Sequence, residues 1–295
     1  MSESFRVACV QNCAEREMAP SIAAVSELVR AAAKDGAQFI ALPEMVTMLE
    51  PVEAAVLEKA RREADDPGLA AFRELARETG AWILTGSLLL RDEGGTAGDT
   101  AGDKVVNRSH LLDPQGAVVA RYDKLHLFDV ELGGGESYRE SATVRPGDRA
   151  TLAPLPWGQL GMSVCYDLRF AYLYRALAQA GASFLSIPAA FTHTTGKAHW
   201  HVLVRARAIE TGSYVFAPCQ CGVHADGVRT YGHSLIVDPW GEVLADGGVE
   251  PGFIAADVDP AKVAKARHMV PALEHDRPFS GPAAPALEER RAASG

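Results

Sequence analysis

Cys165 closes the apolar run Leu160-Gly161-Met162-Ser163-Val164 and is followed at once by Tyr166-Asp167-Leu168-Arg169-Phe170, the start of a helical pattern. A thiol at such a strand-to-helix elbow is presented outward, and backbone N–H groups of the next turn point toward an oxyanion developing on its substrate. A thiol nucleophile also needs a base and a stabiliser of negative charge. Two residues offer these by type and position. Glu44 follows Leu42-Pro43 at the end of an apolar run, which puts a carboxylate at the rim of a sheet. Lys124 ends a hairpin strand within Arg121-Tyr122-Asp123-Lys124-Leu125-His126-Leu127-Phe128. Taken singly, each also has a plain structural reading: a buried core thiol, a solvated loop carboxylate, a surface lysine.

The elements that must position these residues alternate between strand and helix. Residues 5–10 form a β-rich run. Residues 21–34 place Ile22, Val25, Leu28, Val29 and Ala32 at helical spacing before an Asp35-Gly36 stop, and residues 38–42 read as a strand. Asp66-Pro67 opens a second helix that Gly80 closes, and residues 82–90 read as one strand. The second half continues with strand 160–165, helix 169–180, strand 183–188, helix 200–211 and strands 214–218 and 253–258. Two hairpins interrupt the alternation. Asp113-Pro114-Gln115-Gly116 joins residues 107–112 to 117–122, and Asp238-Pro239-Trp240-Gly241 joins 234–237 to 242–245. Hairpins inserted into an α/β chain imply a mixed sheet, with two sheets possible. Residues 92–103 have a loop composition, and the last fifteen residues read as a tail, so a single domain over 1–280 with a flexible segment at 281–295 is expected.

Composition sets the outer bounds. The 295 residues carry 29 Lys+Arg against 38 Asp+Glu, a formal charge of −9, and 47% are hydrophobic. This excludes wholesale disorder and argues against a nucleic-acid or anionic-membrane partner, leaving a small-molecule substrate. Cys9, Cys13, Cys165, Cys219 and Cys221 are odd in number and irregularly spaced, so no disulfide framework is expected. With no basic leader and no long apolar span, a cytoplasmic protein with reduced thiols is expected. No cofactor is implied. No metal is expected either: His193, His199 and His201 cluster in sequence, but no Cys or carboxylate joins them at a usual ligand spacing. Cys219 and Cys221 lack redox-motif spacing, and Gly133-Gly134-Gly135 lacks the setting of a phosphate cradle and reads as a lip over a pocket.

Three segments change the weight of the isolated signals. Ala41-Leu42-Pro43-Glu44, Tyr122-Asp123-Lys124-Leu125-His126-Leu127 and Val164-Cys165-Tyr166-Asp167-Leu168-Arg169, in that order, resemble the nitrilase superfamily of carbon–nitrogen hydrolases. The resemblance spans residues 5–279 and implies an α-β-β-α sandwich with two mixed β-sheets. It implies a Glu-Lys-Cys triad at Glu44, Lys124 and Cys165, and a second glutamate at Glu140 in Tyr138-Arg139-Glu140-Ser141. Ala190-Phe191, Thr195-Gly196-Lys197-Ala198-His199-Trp200, Gln220-Cys221-Gly222 and Tyr231-Gly232-His233-Ser234 are similar to the amidase branch that includes deaminated glutathione amidase and ω-amidase.

The resemblance implies a mechanism. Glu44 takes the thiol proton, Cys165 attacks an amide carbonyl, and Lys124 with the Tyr166 backbone N–H holds the oxyanion. A thioester and ammonia form, and water then releases the acid. Glu140 orients Lys124 or the substrate amide. Lys124 is expected to favour the charged forms of both carboxylate and thiol, with burial opposing this at Glu44. Arg169 is the candidate anchor for a substrate carboxylate, with a salt bridge to Asp167 or another acid as its structural alternative. Phe191, Thr192 and Thr195 are expected to shape the pocket. The implied partners are a small amide, water and further copies of the chain in a homodimer or higher homo-oligomer. An N-carbamoyl amide hydrolase, a true nitrilase and a catalytically idle binding protein on the same scaffold are the competing readings.

Overall fold

Along the strand Phe5–Gln11, Phe5, Val7 and Cys9 pack into one hydrophobic layer while Ala8 and Val10 pack into another. That alternation is the period of two of a strand buried on both faces. The computed structural model describes residues 3–92, 104–133 and 136–281. In its first sheet the strands run in the order Gly252–Val258, Phe5–Gln11, Phe39–Ala41, Trp82–Leu84, Val105–Leu112, Leu88–Arg91, and Val118–Asp123 and Val144–Arg145 also pair with Val105–Leu112. In the second the order is Thr151–Leu155, Gly158–Met162, Ala182–Ser186, Tyr214–Ala217, Leu235–Val237, Val243–Asp246. Both are mixed. Val7 pairs with Phe39 in a parallel ladder while Phe5 pairs with Val258 in an antiparallel one.

The sheets face each other across an aromatic layer. Phe5 meets Phe184 edge-on at 5.4 Å between ring centroids, and Phe39 meets Phe216 at 5.6 Å. On the outer face of the first sheet, Val25 and Val29 of the helix Met18–Lys34 and Phe72 and Leu75 of the helix Pro67–Thr79 cover Ile40 and Ile83. The helices Ala171–Gln179 and His193–Thr211 pack on the second sheet. The layers are α-β-β-α, as expected.

Local signals explain most boundaries. The Asp66 carboxylate accepts from the Leu69 N–H at 2.8 Å, Pro67 occupies the first turn, and Gly80 ends the helix in the left-handed region at φ 68°. Both hairpins form, as Val105–Leu112 with Val118–Asp123 and as Leu235–Val237 with Val243–Asp246.

The larger departures from the sequence reading fall at three places. The expected strand 82–90 is two strands, Trp82–Leu84 and Leu88–Arg91, broken at Gly86 with φ 66°. The chain turns there because it passes against the segment before Glu44: a Cβ on Gly86 would lie 1.9 Å from the Pro43 carbonyl oxygen. The helix expected from Trp200 begins at His193, where Thr192 caps it, since the capping hydroxyl outweighs a weakly apolar first turn. The strand before the elbow stops at Met162, and Cys165–Arg169 is a 3₁₀ turn, with the α-helix delayed to Ala171–Gln179. Residues 93–103, Gly134, Gly135 and the tail from 282 onward lie outside the described residues. Among the described residues, no helix is long and apolar enough to cross a membrane.

Candidate active site

Glu44, Lys124, Glu140 and Cys165 come together between the facing sheets. Glu44 leaves the strand Phe39–Ala41 and is followed by Met45, one of the few non-glycine residues at positive φ, at 52°. Ser87 Oγ accepts from the Met45 N–H at 3.0 Å, and the Gln220 side-chain amide donates to the Glu44 and Met45 carbonyls at 3.1 and 3.2 Å. Lys124 follows the strand Val118–Asp123, its N–H donating to the Asn107 carbonyl at 3.0 Å. Cys165 sits at φ 49° on the elbow, with its N–H bonded to the Pro188 carbonyl at 2.8 Å. A left-handed thiol residue is backbone strain held by its surroundings, as is common at functional turns.

Asp167 ties the elbow to the lysine hairpin. Its carboxylate accepts from the Val164 N–H at 2.8 Å, the Tyr122 hydroxyl at 2.6 Å and the His126 N–H at 3.0 Å, and His126 Nδ1 lies 2.7 Å from it. Cys165 and Lys124 are therefore positioned by one buried carboxylate.

The side chains form a closed charge cluster. Lys124 Nζ donates to Glu44 Oε1 at 2.9 Å and to Glu140 Oε1 and Oε2 at 3.0 and 2.8 Å. Asn107 Nδ2 donates to Glu44 at 3.0 Å and to Glu140 at 3.2 Å. The Ala190 N–H donates to Glu44 Oε2 at 2.8 Å, and the Phe128 N–H to Glu140 Oε2 at 2.7 Å. Burial disfavours the Lys124 ammonium, but the charges of Glu140 and Glu44 outweigh it and raise its pKa well above the usual lysine value.

Cys165 behaves differently from expectation. Burial raises its pKa first and the Glu44 charge adds to that, while Lys124 offsets only part, which favours the protonated thiol. The lysine ammonium donates to both carboxylates, and their negative charges also oppose a thiolate. Moving a proton from sulfur to the Glu44 carboxylate would leave the net charge of the buried cluster unchanged. The Tyr166 N–H lies in the first turn after the elbow, where no carbonyl of its own helix reaches it.

Arg169 makes no salt bridge to Asp167. Its guanidinium lies over the Tyr166 and Phe191 rings at 5.8 and 5.4 Å and donates weakly to His199 Nδ1 at 3.4 Å, with no carboxylate in ion-pair contact among the described residues. Phe191 is buried against Trp200 at 5.0 Å. Thr192 and Thr195 sit close by, but their hydroxyls bond each other at 2.8 Å and cap the helix, so their first task is to hold its end. Sequence reasoning missed Asn107 and the role of Gln220. The strand Val105–Leu112 carries four consecutive polar residues from Asn107 to His110, so nothing in the local pattern singled out Asn107.

A buried thiol, two carboxylates and a buried ammonium, set between two mixed sheets, make a site suited to acyl transfer, the class of chemistry of thiol-dependent hydrolases. The carbon-nitrogen hydrolase family profile matches residues 6–268, and the chain belongs to that family. It is 39% identical over 277 residues to a deaminated glutathione amidase of Synechocystis sp., covering 92% of this chain and 97% of that one. Its fold matches the NitFhit protein of C. elegans with a TM-score of 0.86 and 33% identity, over 94% of this chain and 66% of that longer one. It also matches an amidase of Nesterenkonia sp. with a TM-score of 0.75 and 26% identity, covering 93% and 94% of the two chains, in a Glu-to-Gln, Cys-to-Ala double mutant complexed with acrylamide. The same Nesterenkonia amidase has been seen with acrylamide added at its active-site cysteine. The chain is accordingly a hydrolase of carbon–nitrogen bonds other than peptide bonds.

Proposed function

We propose that this chain hydrolyses a small linear amide of a carboxylic acid through a thioester on Cys165, with deaminated glutathione as the preferred substrate. The observation that carries the reading is the buried Lys124 ammonium held between Glu44 and Glu140 beside a thiol on a strained elbow. Glu44 accepts the Cys165 proton as sulfur attacks the carbonyl carbon. The oxyanion is held by Lys124 and the Tyr166 N–H. Collapse of the tetrahedral intermediate breaks the C–N bond, and the proton on Glu44 goes to the departing ammonia or amine. Glu44 then deprotonates a water that attacks the thioester, and the free acid leaves. Glu140 and Asn107 keep the lysine and the base in register. Arg169, with no carboxylate in ion-pair contact among the described residues and with Phe191 beneath it, is the anchor for the substrate carboxylate.

A side-by-side panel of deaminated glutathione, ω-amides, N-carbamoyl compounds and nitriles tests the reading. Hydrolysis of the carboxylate-bearing amides, lost in Cys165→Ala with an unchanged circular dichroism spectrum, is the expected result; intact-mass analysis should trap an acyl adduct on the wild type. Turnover by Cys165→Ala, or turnover of nitriles alone, overturns it. The reading includes self-association, supported by the exposed apolar residues Tyr172, Val202 and Ile209 on the two helices over the second sheet. Light scattering in solution tests it, and a monomer at all concentrations would refute it.

A further inference from the structure

Away from Cys165, a second group of chemistry-bearing side chains converges from three elements. His201 lies on the helix His193–Thr211, His233 two residues before the strand Leu235–Val237, and Asp246 at the end of the strand Val243–Asp246. His193 and His199 do not join them: His193 meets Tyr231 edge-on and His199 meets Arg169. His233 Nδ1 is 2.8 Å from Asp246 Oδ1, His201 Nε2 is 3.0 Å from Asp246 Oδ2, and one ligand atom from each residue falls within a sphere of mutual distances below 4.8 Å.

We propose that His201, His233 and Asp246 form a binding site for a divalent transition-metal ion of the zinc class. Two imidazoles and one carboxylate are a three-ligand set for a borderline ion, with positions left for water, whereas calcium and magnesium favour all-oxygen sites. Metal–ligand bonds of about 2.0–2.1 Å place tetrahedral donors roughly 3.3 Å apart, close to the 3.1 and 3.0 Å that separate His233 Nδ1 and His201 Nε2 from the shared oxygen Asp246 Oδ2. In the metal-free state both rings donate to the carboxylate. On binding, the proton of each ring moves to its opposite nitrogen, and the freed lone pairs and carboxylate oxygen take the ion.

The surroundings hold the donors in place. The Gly248 N–H donates to Asp246 Oδ1 at 2.9 Å, orienting the carboxylate, and Tyr231 stacks on the His233 ring at 4.6 Å. His233 sits at φ 53°, a conformation uncommon outside glycine, which directs its side chain toward the helix. The rings remain between a quarter and a third exposed, so an ion can enter and the donors can adjust. The site touches the other one through the wall between them. The indole of Trp200 donates to the His233 carbonyl at 2.7 Å and packs against Phe191, which lies beneath Arg169. The proposal does not depend on the hydrolase reading.

The test is a titration of the metal-stripped full chain with zinc by isothermal calorimetry, repeated for His233→Asn, His201→Gln and His193→Ala. Asparagine tolerates the left-handed backbone and removes the ring, so the first variant is expected to fold as the wild type does in thermal melts without metal. One zinc per chain is expected for wild type and His193→Ala, with affinity about 100-fold weaker in the two ligand variants. Cobalt should give visible d–d bands of a four- or five-coordinate ion that disappear in His233→Asn. Equal stoichiometry and affinity in wild type and both ligand variants would place the ion elsewhere and overturn the proposal, as would no binding to the wild type.

Discussion

The Lys124 ammonium donates to the Glu44 carboxylate at 2.9 Å, across 80 positions of sequence, with both side chains 2% exposed. Ions so buried persist only when paired and hydrogen-bonded. Here Glu140, Asn107 and the Ala190 N–H complete the pairing. The cluster holds two carboxylates to one ammonium, so removing Lys124 leaves both buried carboxylates without a counter-charge.

Lys124→Met should abolish hydrolysis and destabilise the fold by about 3–5 kcal/mol, the usual cost of stranding a buried charge. Because the folded-state pKa of Lys124 is raised, its contribution is complete below the unfolded lysine value near ~10.4 and declines only as pH climbs through the folded one. Urea denaturation of wild type and variant at several pH values should show a constant gap from neutral pH to about 9, narrowing above ~10.4. A gap that closed at neutral pH would contradict the assignment of the charge.

Glu44→Gln removes the base and should reduce the rate of thioester formation by about 10²–10⁴-fold. It also removes a negative charge that raises the Cys165 pKa. The pH profile of Cys165 alkylation by a small neutral electrophile should therefore move to lower pH while hydrolysis is lost. An unmoved profile would show that Glu44 does not act on the thiol.

Asn107 donates to both carboxylates of the cluster, which makes it a positioning residue. Asn107→Leu should cost about 1–3 kcal/mol in stability and lower kcat with little change in KM. Asn107→Asp adds a third carboxylate and should be worse in both respects. Steady-state kinetics and denaturation curves on the two variants decide this, and a change confined to KM would instead put Asn107 on the substrate.

Arg169→Met keeps the apolar contact with Phe191 and removes the charge. KM for amides bearing a carboxylate should rise by about 10–100-fold, the range for losing a charge-assisted bond of 1.5–3 kcal/mol, with no change for neutral amides. A parallel loss on both substrate classes would make Arg169 a structural residue.

Gly86→Ala should impair the site without touching it. Its Cβ would collide with the Pro43 carbonyl at 1.9 Å, and at φ 66° alanine is strained in any case. A lowered melting temperature together with loss of turnover is expected. A variant with wild-type activity would show that this crossing of the chain does not set the position of Glu44.

The sequence by itself determined what depends on near neighbours. Asp66, Pro67 and Gly80 delimit a helix, and the Asp-Pro-x-Gly turns set two hairpins, because capping and turn formation act within a few residues. The motifs around Glu44, Lys124 and Cys165 pointed to the carbon–nitrogen hydrolase family through their resemblance to it, and the chain belongs to that family. Tertiary structure alone decided the rest. The break at Gly86 comes from a chain 42 positions away, as the Met45 to Ser87 bond shows. Asn107, the Ala190 N–H and Gln220 reach Glu44 from 63, 146 and 176 positions away. No local pattern reports such approaches. The ionisation of Cys165 follows from the same cause: a lysine beside a thiol reads as an activator in sequence, but burial and two nearby carboxylates favour the protonated sulfur.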